Sequence, residues 1–230
     1  MKLHRLIIGL CFAALLSACG GGDSTPATGP VVSTLSFPLK SAYGALVANG
    51  SPTKNYVVSG SCEGFASETT APATGGQTFE RVPGQLSTAL TLAITWTTCA
   101  RPSITATVTA YYDTNYTPLG FNSNGVYSVY LLLPPPSIPA SIMVGDTGTI
   151  GTTADFTDSS KITPAGKTVV SYVVEPDTAS TAIVNLIFKT SDILGNLTST
   201  EQDRYRISST GALTPVSKDT LTATTHLILQ

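Results

Sequence analysis

Two stretches of this chain alternate between apolar residues and threonine. Leu90, Leu92, Ile94 and Trp96 fall on one side of an extended backbone, with Thr91, Thr95 and Thr97 on the other. Ile104, Ala106, Val108, Ala110 and Tyr112 repeat the pattern against Thr105, Thr107 and Thr109. A helix would scatter these residues around its axis, whereas a strand sorts them onto two faces. The pattern therefore requires antiparallel sheet with one face packed and one face wet. Threonine suits the wet face because it is both β-branched and polar.

The remaining chain reads in the same idiom. Leu35, Phe37 and Leu39 alternate with Thr34, Ser36 and Pro38, which predicts a short edge strand. Asn49-Gly50 marks a turn, and Tyr56, Val58, Gly60 and Cys62 share a face of the next strand. Residues 67–78 read as a polar loop. Asn122-Ser123-Asn124-Gly125 is a hairpin signal, after which Tyr127, Val129, Leu131 and Leu133 share a face until Pro134-Pro135-Pro136 stops the ladder. Those prolines mark either a boundary between domains at 34–136 and 137–230, or a stiff crossover inside one domain.

Beyond them, turn signals recur at Gly145-Asp146, Asp158-Ser159, Pro164-Ala165-Gly166, Pro176-Asp177, Gly195-Asn196 and Thr210-Gly211. Short strands lie between. Ala182, Val184, Leu186 and Phe188 share one face, and Tyr205 and Ile207 share another with Arg204 and Arg206 outward. Leu221, Ala223, Leu227 and Leu229 mark a last strand. Glu201-Gln202-Asp203 reads as a charged loop feeding the Tyr205 strand. The expected fold is all-β: an antiparallel β-sandwich or immunoglobulin-like first half, followed by an antiparallel meander or partly closed barrel. No amphipathic helix of ten or more residues is expected.

Only 11% of residues are charged, against about 25% in an average globular chain. With 9 Tyr, 7 Phe and many β-branched residues the chain still has the means to fold. No Lys/Arg cluster occurs, which argues against a nucleic-acid partner.

The beginning of the chain carries an address. Lys2 and Arg5 precede an apolar run over residues 6–16, about half the length of a membrane-spanning helix. Small residues Ser17 and Ala18 then precede Cys19. Leu16-Ser17-Ala18-Cys19 resembles the lipobox of bacterial lipoproteins. That resemblance implies a signal peptide over 1–18, cleavage before Cys19, and acylation of the Cys19 thiol and new amino end. More than one acyl chain makes such an anchor firm. Gly20, in place of the Asp that tends to hold enterobacterial lipoproteins at the inner membrane, implies an exported protein on the outer membrane, with the lipid bilayer as its first partner. Residues 19–33 then read as a Gly/Pro/Ser/Thr tether.

With Cys11 discarded and Cys19 acylated, Cys62 and Cys99 are the remaining thiols. An even pair in an exported chain reads as a disulfide. Closing a loop of about 37 residues should stabilise the fold by roughly 4 kcal/mol in the chain-entropy account. Cys99 breaks the phase of the Leu90–Trp96 strand, so a bulge or strand end is expected at Thr97-Thr98.

Catalytic signals are absent from the sequence. There is no G-x-S-x-G and no nucleotide-binding glycine loop, and His226 is the only histidine of the mature chain. No cofactor is expected. Asp146, Asp155 and Asp158 are weak calcium candidates without the spacing of a calcium loop. Tyr111, Tyr116, Tyr127 and Tyr130 form a candidate ligand surface, since tyrosine offers contact area at low entropic cost. The leading expectation is a non-catalytic envelope lipoprotein that contacts another envelope protein. The alternative is a glycan or small-ligand binding module. Palmitate labelling in a bacterial host should mark the wild-type protein and fail to mark Cys19→Ala.

Overall fold

The computed structural model describes residues 29–123 and 125–230. The expected signal peptide, Cys19 and the first part of the expected tether lie outside the described residues. One helix, α1 (Leu39–Asn49), precedes β1 (Ser51–Gly60), β2 (Gly64–Thr70), β3 (Thr74–Phe79), β4 (Val82–Trp96), β5 (Ile104–Tyr112) and β6 (Pro118–Ser123). Then follow β7 (Val126–Tyr130), β8 (Thr147–Phe156), β9 (Pro164–Pro176), β10 (Thr181–Ser191), β11 (Leu197–Ser208), β12 (Leu213–Thr222) and β13 (His226–Leu229).

Every pairing between these strands is antiparallel. From β4 to β13 each strand pairs with the next in sequence. β13 returns to β1 through Val58 opposite Leu229. β2 then pairs with β4 from Gly64–Trp96 to Thr70–Leu90, which closes a 12-strand barrel. β3 stands outside the circle, paired with the first part of β4.

The all-β expectation holds, and the meander of the second half is seen in β8 through β13. The sandwich or immunoglobulin-like first half is not found. Alternation reports which side of a strand is buried. It does not report whether the sheet folds over a second sheet or curls round onto itself. Here β1 meets β13 and β7 meets β8, so strands of both halves share one wall. The segment around Pro134–Pro136 is thus the crossover within one sheet, on the connection between β7 and β8.

The helix departs from expectation. Leu35, Phe37 and Leu39 alternate, but Leu39, Ala42, Tyr43, Leu46 and Val47 also follow helical spacing, and that period wins. Gly50 ends the helix with φ of 69° and donates its N–H to Leu46 O. Residues 67–78 are likewise strand at both ends, in β2 and β3, instead of a loop. Tyr127 and Val129 face outward. Ser128 and Tyr130 carry the inward row of β7, and Leu131 to Leu133 leave the ladder as an exposed apolar bend.

The helix corks one end of the barrel. Leu39 and Ala42 join Phe37, Ile142, Ile150, Val170, Val174, Val184 and Ile207 in the main core. Tyr43 Oη lies 3.2 Å from Tyr112 Oη. The approach to the helix is fixed too: Val31 pairs with Asp177, Ser33 donates to Ala179 O, and Phe37 pairs with Ile142. The last residues of the expected tether are therefore held against the wall. A smaller core of Tyr56, Val58, Ala66, Ile94 and Leu229 fills the β1–β2–β4 side.

Cys62 and Cys99 are joined, with Cα atoms 5.6 Å apart. The bond ties the β1–β2 turn to the chain after β4, which ends at Trp96 as the Thr97-Thr98 phase break requires.

The β3–β4 hairpin lies on the outside of the wall. Phe79 stacks on Tyr111 at 4.4 Å between centroids and approaches Tyr127 at 5.6 Å. Glu80 at its tip accepts from Tyr127 Oη and pairs with Lys161. Gly120 lies beneath it, where a Cβ would stand 2.2 Å from Ser128 O and 2.5 Å from the Phe79 ring. No side chain fits both constraints. Gly120→Ala should destabilise the protein by about 3 kcal/mol, read as a lowered urea midpoint. Ala at Gly125, where a Cβ has open space but φ is 90°, should cost only about 1 kcal/mol.

Candidate functional site

On β5 and β7 the inward rows lose burial toward the end opposite α1, while on β4 Ile94 stays buried in the smaller core. On β5, Tyr112 is 5% exposed and Ile104 45%. On β7, Ser128 and Tyr130 are buried while Val126 is exposed. The barrel is therefore corked at one end and open at the other. Between cork and mouth lies a cavity of about 420 Å³. Tyr43, Leu46 and Val47 of α1 form its roof. Leu90, Val108, Ala110, Phe121, Leu186 and Phe188 supply apolar wall.

A buried ionic cluster interrupts that wall. Lys218 of β12 donates to Asp203 Oδ2 at 2.5 Å and lies 3.1 Å from Glu68 Oε2. Its position follows from register: Lys218 sits opposite Asp203, and both side chains face inward. Glu201 is two residues before Asp203 on the same inward row and lines the cavity beside it. A second acidic point is Asp155 of β8, which accepts from Thr153 Oγ1 at 2.6 Å and Thr168 Oγ1 at 2.7 Å.

The charges reshape one another. Burial works against the Lys218 ammonium, but Asp203, Tyr205, Glu68 and Glu201 together hold its proton well beyond the usual lysine range. Burial raises the Glu68 carboxyl, against the pull of Lys218. The neighbouring Asp203 carboxylate, with burial, pushes the Glu201 carboxyl up to about 8. Two cavity-lining polar atoms have no hydrogen-bond partner, Asp203 Oδ1 and Ser128 Oγ, and Ser128 is 0% exposed.

The residues singled out in the sequence scatter. Tyr111 and Tyr127 lie on the outer wall under Phe79. Tyr130 lines the interior cavity, and Tyr116 packs against Gly44 of α1 at the corked end. They form no single surface. Asp146 accepts the Met143 N–H before β8, Asp155 lies inside the barrel, and Asp158 accepts the Ser160 N–H in the β8–β9 turn. Among the described residues no group of three or more His, Cys, Asp or Glu gathers as metal ligands. His226 pairs with Asp219 at 2.9 Å on the outer face.

Glu68 and Lys218 were not singled out by sequence reasoning, and Glu201-Gln202-Asp203, expected as a charged loop, lies inside β11 with Asp203 buried. A signal for two of them existed. Tyr205 and Ile207 set the inward phase of β11, and extending it backwards by twos reaches Asp203 and Glu201. Comparison with protein families, with curated proteins and with solved structures finds no match for this chain.

Glu201 holds its proton more tightly folded than at its ordinary value of 4.5. Its contribution to stability is thus fully present below about pH 4.5 and lost as pH rises through about 8. The melting temperature should fall by roughly 5 °C or more between about pH 5 and pH 9. In Glu201→Gln most of that fall should disappear.

Proposed function

We propose that this chain is an exported, lipid-anchored envelope protein whose barrel holds a small, largely apolar molecule, without catalysis. The observation that carries the reading is the cavity of about 420 Å³, walled by Leu, Val and Phe side chains and open at one end. Pockets of this size with a few convergent polar groups are the usual form of a small-ligand site. The wall itself is wet outside. Thr91 and Thr95 of β4 and Thr105, Thr107 and Thr109 of β5 face out, with Thr91 and Thr107 paired at 3.4 Å. Arg204 pairs outside with Glu175, and Asn185 donates to Glu175 and Gln202. A barrel that spans a membrane carries an apolar band there instead.

The anchor reading rests on the resemblance of Leu16-Ser17-Ala18-Cys19 to a lipobox, and the outer membrane on Gly20. Eleven residues separate Cys19 from Val31, a reach of at most about 40 Å. Val31 meets the wall at the corked end, so the mouth would face away from the bilayer. Exposed Val31, Val32, Leu132 and Leu133 at that end favour the same orientation. β3 ends the strand order with one edge unpaired, which favours a second reading: contact with another envelope protein by strand addition. Capture of a stoichiometric partner from envelope extract, lost when the β3 edge is blocked with proline, would select it.

The ligand reading is tested with N-phenyl-1-naphthylamine, a neutral dye that brightens in apolar surroundings. The purified protein should bind one dye per chain. Val108→Trp, which fills the cavity from a half-buried position, should weaken binding at least tenfold with the melting curve retained. Failure of the native protein to bind neutral apolar probes would overturn the reading.

A further inference from the structure

The interior holds more acid than its one base can use. Lys218 pairs with Asp203 Oδ2 and Glu68 Oε2, and among the described residues it is the only Lys or Arg lining the cavity. That leaves Asp203 with no second base, the Glu201 carboxyl hydrogen-bonded to it through the proton it retains, and Asp155 on another wall strand. A buried carboxylate oxygen without a donor carries an unrecovered desolvation cost. Once Glu201 ionises, only a donor from outside the cluster can relieve it. Ser128 Oγ, fully buried and also without a partner, lines the same space.

Chemistry narrows the donor. A carboxylate or phosphate headgroup would meet like charge at Asp203 and Asp155. A metal ion would need ligands converging on one point, and among the described residues no such group exists. An ammonium brings up to three donors and a positive charge on a compact centre. The apolar wall formed by Leu90, Val108, Phe121 and Phe188 lines the same cavity as the cluster and would take the rest of the molecule.

We infer that the barrel binds an amphipathic amine, with its ammonium against Asp203 and Glu201 and its apolar body along Val108, Phe121 and Phe188. The inference rests on the reading of the interior as a ligand site and adds the charge of the ligand. Bound, the ammonium takes the place of the Glu201 proton against Asp203 and favours the ionised form of Glu201. Binding should therefore release protons to the buffer.

The experiment is calorimetric titration of the purified protein with decylamine, decanol and decanoate, each below its micelle concentration, in two buffers of different ionisation heat. Decylamine should bind one per chain, at least tenfold tighter than decanol, with decanoate weaker still. Proton release should appear as a buffer-dependent heat for decylamine alone. Glu201→Gln and Asp203→Asn should each weaken decylamine by about tenfold while leaving decanol within about twofold. The decanol arm also reports whether a variant has kept its fold. Equal affinity for decylamine and decanol, insensitive to Glu201→Gln, would overturn the amine and leave the apolar site standing. Tighter decanoate would overturn it in the same way. Absence of binding by all three would overturn both this inference and the site beneath it.

Discussion

Closure of the sheet governs the rest of this structure. Because β4 turns away from β3 to pair with β2, and β13 returns to β1, the inward rows of twelve strands look onto one interior. In a sandwich a polar inward residue near a sheet edge can reach water sideways. In a closed wall it can reach water only through an end. Every polar side chain on an inward row must therefore find a partner inside, meet the mouth, or wait for a ligand. Thr153, Thr168 and Asp155 take the first course, bonding among themselves.

The ionic cluster shows how far the interior goes toward neutralising itself. Lys218 reaches one acid on the adjacent strand β11 and another on β2, so the pair links the last strands to the first across the barrel. Buried ion pairs of this kind contribute little net stability, because desolvation offsets attraction. They make removal of one partner expensive and so define which strands meet. This explains Lys218 with two carboxylates. It does not explain a third beside them at Glu201, whose proton is retained because Asp203 is so near.

Much of the wall was legible from alternation alone. The inward rows of β4, β5 and β10 lie where the apolar residues of each stretch put them, and the Arg204 and Arg206 side chains face out as their phase requires. What failed were places where a second signal competed. Leu39 fits both an alternating row and a helical stripe, and tertiary packing under the barrel end decided for the helix. Leu131 and Leu133 share parity with Tyr127 but continue no strand, since the ladder ends at Tyr130. Tyr127, read as part of a ligand surface, is buried by Phe79 from outside. The site was nearly illegible because its residues are charged. Charge in a sequence reads as surface, and only the register of β11 against β12 shows Asp203 and Lys218 turned inward together.

The helix and the cavity are two answers to one geometric problem. Eight strands make a barrel that side chains can fill, and wider barrels leave room beyond their reach. Twelve strands exceed that size. At one end the excess is taken up by backbone, with α1 laid across the opening and Leu39 and Ala42 driven into the core. Toward the other end nothing from the described chain fills it, and the inward rows carry Val, Ala and Phe side chains that leave the centre unoccupied. A chain that needed only a stable barrel could have used fewer strands or a longer plug. The asymmetry between a filled end and an unfilled one is what gives the interior a direction: blocked at one end by Tyr43 against Tyr112, and lined toward the other by apolar side chains with the acids set among them.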